Sequence, residues 1–452
     1  MIKAFGNIFK VPELRTKVLF TLFIILIYRL GSFVPTPGID GVALAQFFQR
    51  ISQTPGGSLF GIMGLFSGGA LEKATIFALG IMPYISSSII LQLLTVVIPY
   101  LENLAKEGEA GRKKIVQYTR YGTIILSLIQ TFFISLWLEN PLSFNNTVIV
   151  PNPGWGFRLM TILTLTTGTA FIMWLAEQID QRGIGNGMSV LITTGIISRV
   201  PTALGQTWVL LSPLDPARQQ LAWWKFALMI ILFISVVVGV ILIIQGERKI
   251  PVQYARQIRG NRVYGGQSTY LPLKVNQAGV IPIIFAQSVI LFPATIAGFF
   301  PRAGMLTKAA HLLAAGSIVY SLMEAMLILF FTFFYTAITF NPVEVSENLQ
   351  KYGGFIPGIR PGKNTAEYLD YLMTRIATSG AVFLAVIALL PSVISSPKLL
   401  NIPFLIASFF GGTGLLIIVG VVLDTMQQIE SQLLMRHYEG FIKRGKLKAR
   451  RY

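Results

Sequence analysis

Residues 80–90 read GIMPYISSSII, deep inside a long apolar run. A segment built only to sit in lipid gains nothing from a proline followed by three serines. Each hydroxyl in hydrocarbon needs a partner, and the proline removes a backbone donor and kinks the helix. One face of this helix must therefore meet something other than lipid.

The chain around it reads as a membrane protein. Its 452 residues are 53% hydrophobic and 12% charged, with mean hydropathy +0.65, where soluble domains carry about 25% charge. Apolar runs of about 20 residues recur throughout, the length needed to cross a bilayer. Ten spans are expected, at 17–35, 74–98, 118–138, 157–177, 187–208, 222–245, 277–299, 313–339, 372–395 and 402–424. The first run begins after Lys17 and no small-residue cleavage site follows, so it reads as a span and not a signal peptide. The runs are continuous, without the period-2 alternation of a transmembrane barrel. The fold class expected is an all-α polytopic membrane protein. With no cysteine, disulfides, thiolate metal sites and thiol catalysis are excluded. His311 and His437 lie far apart in sequence, so no histidine metal site and no cofactor are expected.

Lys and Arg set the orientation. With the N-terminus inside, the inner segments 1–17, 99–120, 178–186, 246–274, 341–375 and the tail hold 27 of the 37 basic residues. The outer segments hold 9, and Arg29 lies within the first span. Both termini are expected on the cytoplasmic side. The net charge of +18 then belongs mostly to the inner face, where it also attracts anionic membrane lipids.

Two inner loops, 246–274 and 341–371, are long for a compact bundle. In the first, Tyr254, Tyr264 and Tyr270 interleave with Arg248, Arg256, Arg259 and Arg262. Arginine beside aromatic rings suits base stacking, phosphate contacts or a protein hot spot, so both loops read as docking surfaces. Neither nucleotide-like motif holds. GFIPGIRPGKN has Pro357 and Asn364 where a phosphate-binding loop needs Gly and Ser or Thr, and GIGNGM stops short at Met188. No nucleotide site is expected, and any energy must come from a partner or a gradient.

Three helices carry polar positions beside aliphatic ones. Ile81 and Ile85 share a face near Ser86, Ser88 and Gln92, and Asn186 precedes Met188 and Ile192. Asn276, Gln277, Pro282 and Gln287 surround Ile281 and Ile284. Small-residue packing explains any one of them. Three in one chain favour a polar path closed by aliphatic side chains, which can seal by dewetting. The piece GGSLFGIMGLFSGG (56–69) has an apolar stretch of about 11 residues, roughly 16 Å as a helix and too short to span. It suits either a half-helix folded into a pore mouth or an interfacial helix. Of the charges inside spans, Arg29 and Glu324 read first as snorkelling or interhelical bonding. Glu324 has no second acid or histidine on another span to relay with, which disfavours an ion-coupled transporter.

The stretches YRLGSFVPTPGID, FSGGALEKATIFALGIMPYISSSIILQLLT, EGEAGRKKIVQYTRYGT, GIGNG, VYGGQSTYLPLKVNQAGVIPIIFA, YGGFIPGIRPG and YEGF occur in this order. Through them the chain resembles the SecY family, the channel subunits of bacterial protein translocation, over essentially its whole length. The resemblance implies ten transmembrane helices in two inverted five-helix halves around a central pore, plus a short plug half-helix. It divides the chain into an N-terminal segment (1–16), an N-terminal half (17–208, plug about 57–67), a C-terminal half (209–424) and a basic tail (425–452). It puts the hydrophobic constriction on Ile81, Ile85, Met188, Ile192, Ile284 and Ile417, with Met188 departing from the usual branched aliphatic. The plug falls on Ser58, Leu59, Phe60, Ile62, Met63, Leu65 and Phe66. The lateral gate falls on Ser86, Ser88, Gln92, Asn186, Gln287 and Phe292, so the serines of the opening stretch would line the seam through which a signal sequence leaves for lipid. Arg248, Arg256, Arg259, Arg262, Arg360 and Tyr438 are the implied contacts for the ribosome and the SecA motor, although Asn261 replaces an arginine common in the family. The implied partners also include the small subunits SecE and SecG, signal sequences and nascent polypeptide.

The expected function is a protein-conducting channel and not an enzyme. It would pass unfolded secretory chains across the bacterial inner membrane, or a thylakoid membrane where the host has one, and release membrane segments sideways into lipid. A secondary transporter with broken helices is the alternative, and would bind a small solute at the midplane. A ribosome-docking membrane receptor is a third reading, and leaves the serine-bearing faces unexplained.

Overall fold

The structure is a computed structural model that describes residues 11–51, 64, 67–144, 147–212, 222–254, 257–259, 262–264, 268–299, 317–395, 400, 402 and 404–444. Every expected span is served by helix. Helix α1 is Pro12–Gly31, and a short α2, Gly41–Ile51, follows it. The second span is α3, Met82–Val97, which turns by 98° into α4, Pro99–Lys106. Ile98 is extended, as a residue before proline prefers, and this places the corner there. Then come α5 (Glu109–Leu138), α6 (Trp155–Arg182), α7 (Gly187–Ile197), α8 (Val200–Leu211) and α9 (Trp223–Gln245). After a sheet region follow α10 (Ile281–Phe299), α11 (Ile318–Thr339), α12 (Pro342–Lys351) and α13 (Lys363–Ser395). The last are α14 (Phe404–Gly411) and α15 (Thr413–Arg444).

Among the described residues, seven helices are long and apolar enough to cross a membrane, or eight with the α3–α4 pair. The two other expected spans are α1, which carries Glu13, Arg15, Lys17 and Arg29, and α10, whose apolar part Ile281–Leu291 is short and which holds Pro293. Several boundaries differ from expectation, among them the ninth, whose helix starts nine residues early at Lys363, and the fifth, which is broken between Ile197 and Val200. The second span becomes helical only at Met82, because residues 67–81 are turns, with Gly80 at φ +59° and Pro83 at the helix start. The tenth is split at Gly412 and then runs on to Arg444, into the stretch expected as tail. The third begins nine residues before expectation, since hydropathy marks the apolar part of a helix and not its charged first turns.

The chain forms two compact units, Met1–Gln206 with Leu291–His311 and Ile417–Tyr452, and Thr207–Ile290 with Leu312–Leu416. In the first unit, α5 and α6 pack antiparallel with an ion pair at each end. Arg120 grips Glu177 through two bonds of 2.7 and 2.8 Å. At the other end Arg158 meets Glu139 at 2.7 Å, and Glu139 also accepts the Gly154 amide at 2.9 Å. Each helix runs 19 residues between its two charged partners, about 28 Å at helical rise, close to the thickness of a hydrocarbon core. The charges thus bracket the lipid. Between them, Thr119, Thr123, Ser127, Thr131 and Ser135 form a buried stripe four residues apart on α5. Each hydroxyl donates to a carbonyl three or four residues earlier in the same helix, so none is left unsatisfied in the low-dielectric core.

In the second unit the two long loops fold together. Strand β1 (Glu247–Tyr254) is followed by the short pair β2 (Gln257–Arg259) and β3 (Arg262–Tyr264), and then by β4 (Ser268–Lys274). From the second loop comes β5 (Gly354–Phe355), giving an antiparallel sheet in the order β4-β1-β5. Its buried residues Ile250, Val252 and Leu273 pack with Phe340, Ile356, Leu369, Leu372 and Met373. Alternating polar and apolar residues over 247–254 carry the signal for this strand, although Pro251 and the dense charge mask it. Replacement of the buried Val252 by Asp puts an unpaired charge into this core, at a cost of about 3 kcal/mol or more. Limited trypsin digestion should then cut within 246–274 much faster than in the unaltered protein while helical circular dichroism persists; an unchanged cleavage rate would contradict the packing.

Candidate functional site

Helix α3 divides its three serines between two jobs. Ser87 is buried and donates to the Thr119 carbonyl of α5 at 2.8 Å. It is thus an interhelical bond. Ser86 and Ser88 are both half-buried, and the Ser88 hydroxyl accepts from Gln92 Nε2, one turn on, at 3.4 Å. The Gln92 carbonyl oxygen is buried with no hydrogen-bond partner among the described residues. Beside this polar line, Ile81, Ile85 and Ile89 turn inward, and Ile85 is completely buried.

Helix α7 carries the next aliphatic positions, and its start is fixed by three contacts. Asn186 Oδ1 accepts the Ser189 amide at 3.1 Å and so caps the helix. The Gly187 amide donates to Asp180 Oδ1 at 2.7 Å. A Cβ at Gly187 would lie 1.9 Å from the Ala176 carbonyl, so only glycine lets α7 approach α6 this closely. GIGNG is therefore a packing and capping motif. Asn186, expected at a lateral gate, is exposed and spends its side-chain oxygen on the cap. Met188 is half-buried and Ile192 fully buried. Ile417 is also fully buried, on α15 in the same unit.

Ile284, 2% exposed, lies on α10 in the second unit. One turn on, Gln287 is buried and already engaged: its Nε2 donates to Thr413 Oγ1 at 2.7 Å and to Glu324 Oε1 at 3.4 Å. Glu324, alone by sequence reasoning, thus sits in a polar cluster of three helices, α10, α11 and α15. Hydropathy could not have found this grouping, since it joins residues 37 and 126 positions apart.

Other expected positions are resolved in part. The side chain of Phe292 lies outside the described residues, as do Ser58, Leu59, Phe60, Ile62, Met63, Leu65 and Phe66. Arg248 on β1 and Arg360 beyond β5 are exposed. Arg259 and Arg262 are backbone partners across β2 and β3. Arg256 lies outside the described residues, and Tyr438 is on α15 with its side chain outside them.

An all-α polytopic membrane protein with aliphatic positions beside half-buried polar faces, and a cationic sheet on one loop pair, fits the class of protein-conducting channels. The family model SecY matches residues 75–426. The protein translocase subunit SecY of Thermotoga maritima is 42% identical over the full length of both chains. Its counterparts in Escherichia coli K12 and Streptomyces scabiei are 46% and 49% identical, over 96% and 98% of this chain and 95% and 100% of theirs. The chain belongs to the SecY family. Solved structures agree in fold: "The structure of a protein conducting channel" aligns at TM-score 0.56 and 17% identity over 96% of this chain and 95% of that one. A SecY structure whose plug domain stabilises its closed channel aligns at 0.63 and 17%, with the same coverage.

The Gln287 cluster makes a direct prediction. Thr413→Val keeps the volume but removes the acceptor at 2.7 Å, leaving a buried amide donor to its weaker carboxylate contact. The loss should be about 1–3 kcal/mol, read as a lower thermal midpoint of the purified protein in detergent. An unshifted midpoint would show that the cluster is not formed.

Proposed function

We infer that this chain conducts unfolded polypeptide across a bacterial cell membrane and lets apolar segments leave sideways into lipid, without catalysing a reaction. One observation carries the reading. The five branched aliphatics at the implied constriction (Ile81, Ile85, Ile192, Ile284 and Ile417) are each no more than 3% exposed, although they lie on four helices rich in polar residues. Aliphatic side chains gathered at a constriction make a gasket that a chain can push open yet that stays dry to ions at rest. Met188 completes the set with a more pliant side chain. Ser86, Ser88 and Gln92 would then face the departing signal sequence, which partitions by about 0.3–0.6 kcal/mol per Leu-like residue. Gln287 contributes to that seam only by giving up its bonds to Thr413 and Glu324. The stretch from Ser58 to Phe66 is assigned as the plug by the family resemblance alone.

The halves 17–208 and 209–424 are proposed as the two sides of the pore. Both termini lie in the cytoplasm on the 27 to 9 distribution of basic residues. The basic sheet then docks the ribosome and the SecA motor, while SecE and SecG complete the assembly. Structures of relatives described as a Sec61 ribosome-channel complex and as a ribosome-bound Ssh1 complex support this choice of partner.

Single-channel recording on the assembled complex in a planar bilayer tests the seal. The unaltered protein should be silent and Ile85→Asn with Ile192→Asn should leak; two silent proteins would remove the gasket. Arg256→Glu with Arg360→Glu should weaken ribosome binding, and more so at low salt, as expected for phosphate contacts. Equal binding in a sedimentation assay would move the docking site elsewhere.

A further inference from the structure

Within the first unit, α7 carries Met188, Ile192 and Gly195 along one face, at intervals of four and three residues, and Arg199 stands in the turn just past its last residue, Ile197. Met188 and Ile192 belong to the proposed constriction. The far end of this face meets Gly64 and residues 67–72. Gly68 packs so tightly on Gly195 that an added Cβ would lie 3.0 Å from the Gly195 Cα, and its φ of +61° suits glycine. Ser198 donates to the Gly68 carbonyl at 3.4 Å and to the Gly195 carbonyl at 2.6 Å. Arg199 is 8% exposed, pairs through Nη2 with Glu72 Oε1, and donates through Nε to the Gly64 carbonyl at 3.4 Å. Its guanidinium also lies close over Gly69, where a Cβ would come within 3.1 Å.

We propose that Arg199 and Glu72 are positioning residues for the seal, a latch that holds residues 67–72 against α7 and so keeps Ile192 in its resting place. This rests on the pore reading above. The chemistry suits a latch better than a permanent staple. Glu72 keeps 30% of its side chain exposed and Arg199 10%, so the pair can rehydrate at the Glu72 side when it parts. Leu71 anchors the segment in the apolar core on its other side, whereas its hydrogen bonds and ion pair to Ser198 and Arg199 are polar and separable. Loss of the Arg199 charge leaves Glu72 without this partner and removes the one side-chain bond from Arg199 to the Gly64 carbonyl, which keeps the Gly69 amide at 2.9 Å.

The test uses the assembled complex with Arg199→Gln, Glu72→Gln and the swapped pair Glu72→Arg with Arg199→Glu. Resting leak in a planar bilayer should rise about tenfold in each single variant, the equivalent of about 1.4 kcal/mol, and return towards the silent baseline in the swap. The chain has no native cysteine, so Ser67→Cys, buried at 3%, reports release of the segment through its alkylation rate. That rate should rise with the leak. Ile89→Cys, buried on α3, should stay unreactive in the same proteins. Silent single variants alongside a leaky Ile85→Asn with Ile192→Asn protein would overturn the latch and leave the pore intact. Silence in that isoleucine variant too would remove both. Alkylation of both cysteines in the single variants would show a general packing role and no latch.

Discussion

Hydrocarbon offers no water to a polar atom, and the folded chain is organised by that constraint. Every hydroxyl on the α5 stripe bonds back into its own helix. The charged residues of α5 and α6 sit at the two ends of the pair, where headgroups begin, and neutralise each other there. Other buried polar groups gather into clusters, as with Gln287, Glu324 and Thr413, while some atoms stay unmet among the described residues, the Thr161, Thr169 and Thr193 hydroxyls and the Gln92 amide oxygen among them. The unmet oxygen of Gln92 sits on the face assigned to passing signal sequences, whose backbone brings its own donors.

Much of this was legible in the sequence, and the reason is periodic. Runs of apolar residues mark where helices form. Ile81 and Ile85, or Met188 and Ile192, could be placed on one face from their spacing of four alone. Hydropathy failed where a backbone dihedral or a charge decides the outcome. It took residues 74–81 as helix, whereas Gly80 and Pro83 delay the start to Met82. It ended the tenth span at 424, but a helix does not stop when its side chains become polar, and α15 continues to Arg444.

Contacts between distant residues were less visible. The split among the three serines depends on α5 passing Ser87, which no local pattern records. Asn186 read as part of a polar seam because an asparagine before a helix looks the same whether it faces a ligand or caps the helix. Arg199 and Glu72 carried no signal, since nothing in the local pattern links two charges 127 residues apart. The strands at 247–274 were hidden by their own charge, which suggested an open loop where a sheet with a core had formed.

That sheet changes how load travels through the molecule. Helix α9 ends at Gln245 and β1 starts at Glu247, with one residue between them; β4 ends at Lys274, seven residues before α10 begins. Strand β5 and its neighbours tie the same sheet to α12 and α13 through shared apolar packing. A body that pushes on either loop therefore pushes on one lever with several membrane helices bolted to it. Torque applied at the water surface arrives in the bilayer as a concerted tilt, with little lost to flexing of separate tethers.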